Sequence, residues 1–396
     1  MKKILYFFIL YLFFIFISNS FGQSIEIRKS TDQKVSFSVQ NFIVDSTKES
    51  INFLEVLKND LVRSGYFKLT NTDASFSLKG SVKVSNKISC KIYIFNNSDN
   101  LSIMKRSFDS DKKNYRYLAH KIADEIIFAV TKKKGMSSAK LALVGNISGH
   151  KELYICDIDG ANLRQVSNDK NIIVAPEWTP NGNNIIYTSY KMGYPNIYQT
   201  GQSKPLSNYG GLNVSAAVSP DSKYIAMILS KDGNPELYLK ELKTEKLIRL
   251  TATRRANEAS PCWSPDGKKL AYVSDSSGRP HIYVLNLNGG KPQRISSSGS
   301  ENVSPNWGPN GLIAYSSRQS GRYKIVISDI NNRSSKTLSL DNADYEDPYW
   351  TPDGRHIVAS RSINYRSSIY LLDTLEERSI PLVNVKGDWY SPSCTR

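Results

Sequence analysis

One short phrase recurs along this chain at a spacing that few architectures can accommodate. It reads Pro176-Glu177-Trp178-Thr179-Pro180-Asn181-Gly182, then Pro261-Cys262-Trp263-Ser264-Pro265-Asp266-Gly267. It returns at Pro305-Asn306-Trp307-Gly308-Pro309-Asn310-Gly311 and at Pro348-Tyr349-Trp350-Thr351-Pro352-Asp353-Gly354. A variant copy runs from Ala216 to Ser222 with Val218 in place of tryptophan, and a stub, Pro392-Ser393-Cys394-Thr395, closes the chain. The copies begin at 176, 216, 261, 305, 348 and 392, so the steps are 40, 45, 44, 43 and 44. A period of about 40–45 residues is that of a propeller blade built from four short strands.

A second hallmark keeps the same register. Gly149-His150-Lys151-Glu152-Leu153-Tyr154 recurs as Gly193 to Tyr198, Gly233 to Tyr238, Gly278 to Tyr283, Gly321 to Val326 and Tyr365 to Tyr370. Between the two lie β-branched and aromatic runs such as Lys268 to Ser274, and turns such as Asn288-Gly289-Gly290. In Ser264-Pro265-Asp266-Gly267, proline presets φ at the second turn position and glycine accepts positive φ at the fourth. The count is six blades. The first Gly…Tyr copy has no tryptophan phrase before it, so Ala139 to Gly145 starts that blade at its second strand. The missing first strand exists only at the far end, over Trp389 to Thr395. The ring is therefore expected to close by lending its C-terminal strand to the first blade, which removes open sheet edges.

The residues before the array have another texture. Lys2 and Lys3 precede an apolar run from Ile4 to Ile17, and Ser20-Phe21-Gly22 offers a small-residue cut, the pattern of a secretory signal peptide over residues 1–22. No cysteine follows the cut to carry a lipid, so a soluble, exported chain without stable membrane insertion is expected. Residues 23–135 read as a smaller α/β domain, with strands alternating from Ile25 to Val44 and over Phe67–Thr70, Phe76–Val84 and Ile88–Phe95. A helix is expected from Thr47 to Ser64, with Ile51, Leu54, Leu57, Leu61 and Val62 on its apolar face and Gly65 as its stop. A second helix spans Asn114 to Thr131, with Tyr117, Leu118, Ile122, Ile126 and Val130 as its stripe. Residues 136–396 are the propeller. The fold class is thus mainly β with a smaller α/β domain.

Charge and cysteine bound the chemistry. The formal charge of +16 falls to +14 without Lys2 and Lys3 and is spread over both domains, with Lys132-Lys133-Lys134 as its tightest run. That distribution suits a solvated basic surface and points away from nucleic acid. Cys90, Cys156, Cys262 and Cys394 show no metal-ligand spacing; export permits disulfides, and Cys156 and Cys394 share the closing blade. No GxSxG elbow exists in the chain, so no catalytic residues are assigned, and neither a metal nor a cofactor is expected. Trp178, Trp263, Trp307 and Trp350 recur in step with the blades and are expected to pack between them. His120 is read as a structural helix residue beside Arg116 and Asp124. The loops before each first strand converge on one channel mouth and carry Asn213, Arg255, Asn257, Glu258, Glu301, Asn302, Tyr345 and Glu346. Their mixture of amide, aromatic and both charge signs suits a protein partner.

Taken with the signal peptide and with the segments Asp60-Leu61-Val62-Arg63-Ser64-Gly65-Tyr66-Phe67, Arg116 to Glu125 and Lys134 to Ala142, the repeats resemble the TolB family. These are periplasmic components of the Tol–Pal system of Gram-negative bacteria. The resemblance implies a non-enzymatic scaffold that binds a Pal-like lipoprotein at the channel mouth. It also implies that the mature N-terminal segment, Gln23, Ser24, Ile25, Glu26, Ile27 and Arg28, engages a TolA-like inner-membrane protein. Leu212-Asn213 departs from the more polar stretch of the family, and Cys394 stands where other repeats carry tryptophan. The competing readings are an exported propeller that binds peptidoglycan or carbohydrate fragments, and a propeller hydrolase or lyase.

Overall fold

The computed structural model describes residues 34–338 and 340–396. The first part is one twisted sheet with two helices. Its strands are β1 (Val35–Ser38), β2 (Phe42–Val44), β3 (Phe67–Leu69), β4 (Phe76–Val84), β5 (Lys87–Asn96) and β6 (Leu101–Asp111). They lie in the order β3-β1-β4-β5-β6, with β2 also parallel to β4. The long β4-β5-β6 meander is antiparallel. The sequence reading missed β6, because LSIMKRSFDSD lacks a clean alternation and most of its side chains face solvent.

Helix α1 (Lys48–Arg63) starts where Thr47 Oγ1 accepts from the Ser50 N–H, a side-chain cap on an otherwise orphaned donor. Its buried face is Phe53, Val56, Leu57, Asp60 and Leu61. Ile51 and Val62, expected on that face, are 54% and 43% exposed. The true stripe is displaced because Phe53 and Asp60 turn inward, and the inward carboxylate has a reason described below. Helix α2 (Tyr115–Thr131) buries Leu118, Ala119, His120, Ile122, Ala123, Ile126 and Ile127, while Tyr117 is half exposed. Both helices share one apolar core with Phe37, Leu78, Ile88, Ile92 and Ile94 of the sheet.

The remainder is a six-bladed propeller. Its innermost strands are Ile173–Trp178, Asn213–Val218, Glu258–Trp263, Asn302–Trp307, Asp344–Trp350 and Trp389–Cys394. Five blades have four strands. The blade that starts at Ile173 has three, with its fourth reduced to a single bridge, Ile197 to Ser207. The C-terminal strand pairs antiparallel with Lys140–Gly145, matching Trp389 to Gly145 and Cys394 to Leu141, so the ring closes as the repeat phase requires. Cys394 and Cys156 both sit opposite Leu141, on the two strands flanking it. Two strand spacings separate them by about 9–10 Å, beyond the ~7 Å limit for a disulfide. All four cysteines are buried and free.

The repeated tryptophans lie between blades. Trp263 packs on Ala217, Ile228 and Leu237 of the preceding blade and on Leu270 and Tyr272 of its own. Its indole N–H donates 2.9 Å to the carbonyl of Ala217. Trp178, Trp307 and Trp350 are likewise buried in clusters that bridge two blades. Truncating such a residue to alanine costs about 3–5 kcal/mol. At the closing blade, Trp389 is fully buried five residues upstream of the usual tryptophan position, which Cys394 occupies. It meets Tyr154 edge to face at 5.1 Å. Gly145 makes room for it, since a β-carbon there would sit 2.4 Å from the indole.

Candidate functional site

Each innermost strand carries the same defect at the same place. The residue before the repeat proline is left-handed in all six: Ala175, Ser215, Ser260, Ser304, Asp347 and Ser391, with φ between 45° and 53°. There the pairing with the second strand slips by a bulge. In five copies a proline follows, which has no N–H to leave unpaired. The six bulges form a small-residue ring around the axis, lining a cavity of about 280 Å³. Asp347 is the single carboxylate at the ring position. It accepts from Ser304 Oγ at 2.7 Å and from Ser391 Oγ at 2.9 Å.

Deeper in the channel, Glu177 accepts 2.8 Å from the Tyr349 hydroxyl. Burial pushes its pKa up to about 7 against the pull of Arg396 and Tyr349. Tyr349 and Asn306 line both this cavity and a second one of about 250 Å³ at the other end. That end is framed by the turn prolines Pro180, Pro220, Pro265, Pro309 and Pro352 and by Lys134 and Arg396. Tyr349 and Asn306 therefore stand where the two cavities adjoin, with Glu177 on the side of the first.

The eight mouth residues named from sequence fall into two groups. Arg255 and Asn257 are exposed, and Glu301 and Glu346 are partly so. Asn257 is oriented by Asp275, donating through its backbone N–H at 2.7 Å and its amide at 2.9 Å. Glu301 accepts from the Tyr323 hydroxyl at 2.7 Å and pairs with Arg318 at 3.3 Å. Burial, with Asp347 and Asp344 nearby, raises the pKa of Glu346. The other four are buried: Asn213, Glu258, Asn302 and Tyr345. They are loop fasteners, not surface groups. Asn213 holds its own loop through Ser207, Tyr209 and Gly211. Asn302 contacts His281 Nδ1 at 3.0 Å, and the Tyr345 hydroxyl lies 3.0 Å from both Asp341 and Ser379. Burial raises Glu258 to about 7, with Glu236 adding repulsion. All four share one register, three residues before the repeat proline, where the side chain turns into the blade. Gln23, Ser24, Ile25, Glu26, Ile27 and Arg28 lie outside the described residues, as does the expected signal peptide.

A second polar cluster joins the α/β part to the propeller; the sequence points to His120 and Arg116 on α2 but not to their carboxylate partners. His120 Nδ1 lies 2.5 Å from Asp60 Oδ2, which explains the inward carboxylate on α1. Its Nε2 lies 3.8 Å from Asp157 of the first blade. Burial opposes the imidazolium, but Asp157 and Asp60 outweigh it and hold the pKa at about 9. Asp124 does not touch His120; it staples the hinge by accepting from the Ser137 and Ser138 backbone N–H groups and the Ser138 hydroxyl. Across the junction Arg116 reaches Asp159 at 2.5 Å, and Lys140 pairs with Asp157. His120, Asp157 and Asp159 have metal-like proximity, yet these cations already neutralise both carboxylates. On the last blade Arg355 clamps Asp373 bidentately at 3.1 and 2.7 Å and lies over the Tyr66 ring. Gly65, at φ +74°, ends α1 and leaves space for that guanidinium. His356 Nδ1 sits 2.6 Å from Asp353. Among the described residues, no helix is long and apolar enough to cross a membrane.

Comparison with known proteins agrees with this architecture. The Tol-Pal system protein TolB of Desulfotalea psychrophila is 32% identical over 171 residues, 42% of this chain and 39% of that protein. A protein TolB homolog of Chlorobaculum tepidum is 30% identical over 165 residues, 40% of this chain and 38% of its own length. The chain thus spans about two-fifths of the curated relatives it matches. The crystal structure of TolB from Acinetobacter baumannii superposes with a TM-score of 0.81 over 92% of this chain and 97% of that one. At 24% identity, that likeness is one of fold. Residues 128–395 match PD40, the TolB beta propeller domain. This chain therefore belongs to the TolB β-propeller family.

Proposed function

We propose that this chain is a non-enzymatic periplasmic scaffold of a Tol–Pal system. In this reading residues 1–22 direct export, residues 23–135 form the α/β domain and residues 136–396 the propeller. The channel mouth receives a Pal-like lipoprotein, and the N-terminal segment from Gln23 to Arg28 engages a TolA-like inner-membrane protein. The linkage serves outer-membrane constriction at division and envelope integrity. One observation supports the mouth above all: Arg255 and Asn257 stand exposed, and Glu301 partly so, on loops anchored by a buried ring of fasteners. Preformed polar loops around a recess suit a protein ligand, whose ordering cost they reduce.

The test uses the purified chain and the soluble domain of a Pal-like lipoprotein from the same organism, followed by calorimetry. Arg255→Glu combined with Asn257→Ala should weaken binding at least tenfold while leaving Tm within 2 °C of the parent. Deleting Gln23 to Ser30 should spare that binding and abolish capture of a TolA-like domain. Retention of purified sacculi by the chain alone, with no affinity for the lipoprotein, would favour the carbohydrate-binding reading instead.

A further inference from the structure

The α/β sheet ends in an open edge beside a cleft. β6 pairs with β5 on one side only, and among the described residues no backbone hydrogen bond leaves its outer side. In an antiparallel strand alternate residues direct their N–H and C=O groups outward, so this eleven-residue strand offers a ladder for another chain. Alongside it a cleft of about 680 Å³ opens between β6, α2 and the segment that leads into the first blade. Ile103 and Phe128 line it and are 42% and 58% exposed. Gly135, Met136 and Ala139 form its apolar floor.

The rim of this cleft is cationic. Lys121, Lys132, Lys134, Arg106 and Arg396 all border it. The two rim carboxylates are already engaged: Asp124 holds the hinge, and Glu125 lies 3.7 Å from Arg106. Lys121, Lys132 and Lys134 make no ion pair among the described residues. Lysine on an edge strand usually discourages pairing with a second copy, and antiparallel self-pairing here would set Lys105 and Arg106 against their equivalents. The same charges attract a strand of opposite sign. We propose that the β6 edge and its cleft bind an acidic, extended polypeptide segment of a partner protein by strand addition, with one apolar side chain seated against Ile103 and Phe128.

A convex membrane-binding face would present its apolar groups outward on a bulge. Here they line a recess beside unpaired backbone, which favours a peptide. Pro352, at the end of an innermost strand, borders the cleft, whereas the mouth loops precede the starts of those strands. The site is thus at the opposite end of the channel, and it does not depend on the reading of the mouth.

The probe is a labelled ten-residue peptide that alternates glutamate with threonine around a single central leucine, titrated into the purified chain by fluorescence anisotropy. Two further peptides of identical side chains carry N-methyl groups on alternate amides, one peptide in each register. We expect N-methylation in one register to weaken binding at least tenfold, because it removes the ladder and leaves charge intact. Lys132→Glu with Lys134→Glu should weaken it at least tenfold, and Phe128→Ser by about fivefold, each with unchanged circular dichroism. Arg255→Glu at the mouth should change nothing. Equal affinity for parent and both N-methylated peptides would overturn strand addition. Indifference to the lysine reversals would remove the cleft as the site. Stronger retention on vesicles containing phosphatidylglycerol than on the peptide would replace the partner with a membrane. A tenfold gain in affinity on deleting residues 23–33 would assign the edge to the chain's own N-terminal segment.

Discussion

Replacing Trp389 by alanine tests how the propeller ring is held shut. The indole is fully buried in the closing blade, edge-on to Tyr154, with its N–H donating 3.0 Å to the Val385 carbonyl. Burying a large aromatic removes about 150–250 Å² from water, which at ~25 cal/mol per Å² is roughly 4–6 kcal/mol. Measured truncations of buried aromatics fall near 3–5 kcal/mol. For a domain of this size each kcal/mol lowers Tm by about 2 °C, so Trp389→Ala should lower it by roughly 6–10 °C. Calorimetric melts at neutral pH provide the comparison, with Cys394→Ala as the control on the same strand. The control removes only a thiol and should lose less than half as much. A Tm within 2 °C of the parent for Trp389→Ala would refute the closure energetics argued here. Gly145→Ala should reproduce the loss from the other side, by collision with the ring.

Two further outcomes follow from buried titrating groups. His120 and His356 have folded pKa values near 9, above the ordinary 6.5, against Asp60 and Asp157 in one case and Asp353 and Asp373 in the other. A raised histidine pKa stabilises fully below pH 6.5 and loses that contribution as pH climbs through 9, by at most about 3 kcal/mol per histidine. Melts from pH 6 to 9.5 should therefore fall, and His120→Gln with His356→Gln should flatten the profile; an unaltered slope would remove these networks as its source. Glu177 moves stability in the same direction with pH, but as a penalty. Its pKa is raised from 4.5 to about 7, so stability is lost as pH rises from about 4.5 to 7, and Glu177→Gln should stabilise by up to about 3 kcal/mol at pH 8 and be neutral at pH 4. Chemical denaturation at both pH values decides it, equal effects at the two being the contrary result.

The array was legible because a repeat writes each structural demand several times. The proline–tryptophan phrase, the turn glycines and the phase of the last copy together dictate blade number and closure, since each blade must bury the same face against its neighbour. The αL ring was present in the same letters, at the residue before each proline, but only the bulge geometry shows that those six positions surround an axis. Of the eight residues expected on mouth loops, Arg255, Asn257 and Glu301 precede the innermost strands, while Asn213, Glu258, Asn302, Tyr345 and Glu346 lie on them. Asn213, Glu258, Asn302 and Tyr345 turn inward because a one-residue offset along a strand reverses the face a side chain occupies. Glu177 and Tyr349 lie 172 positions apart and Asp60 and His120 lie 60 apart, so no local pattern announces either pair. Periodicity specifies what every blade has in common; the pairing of charges across the channel and across the junction exists only once the ring has closed and the α/β part has docked on it.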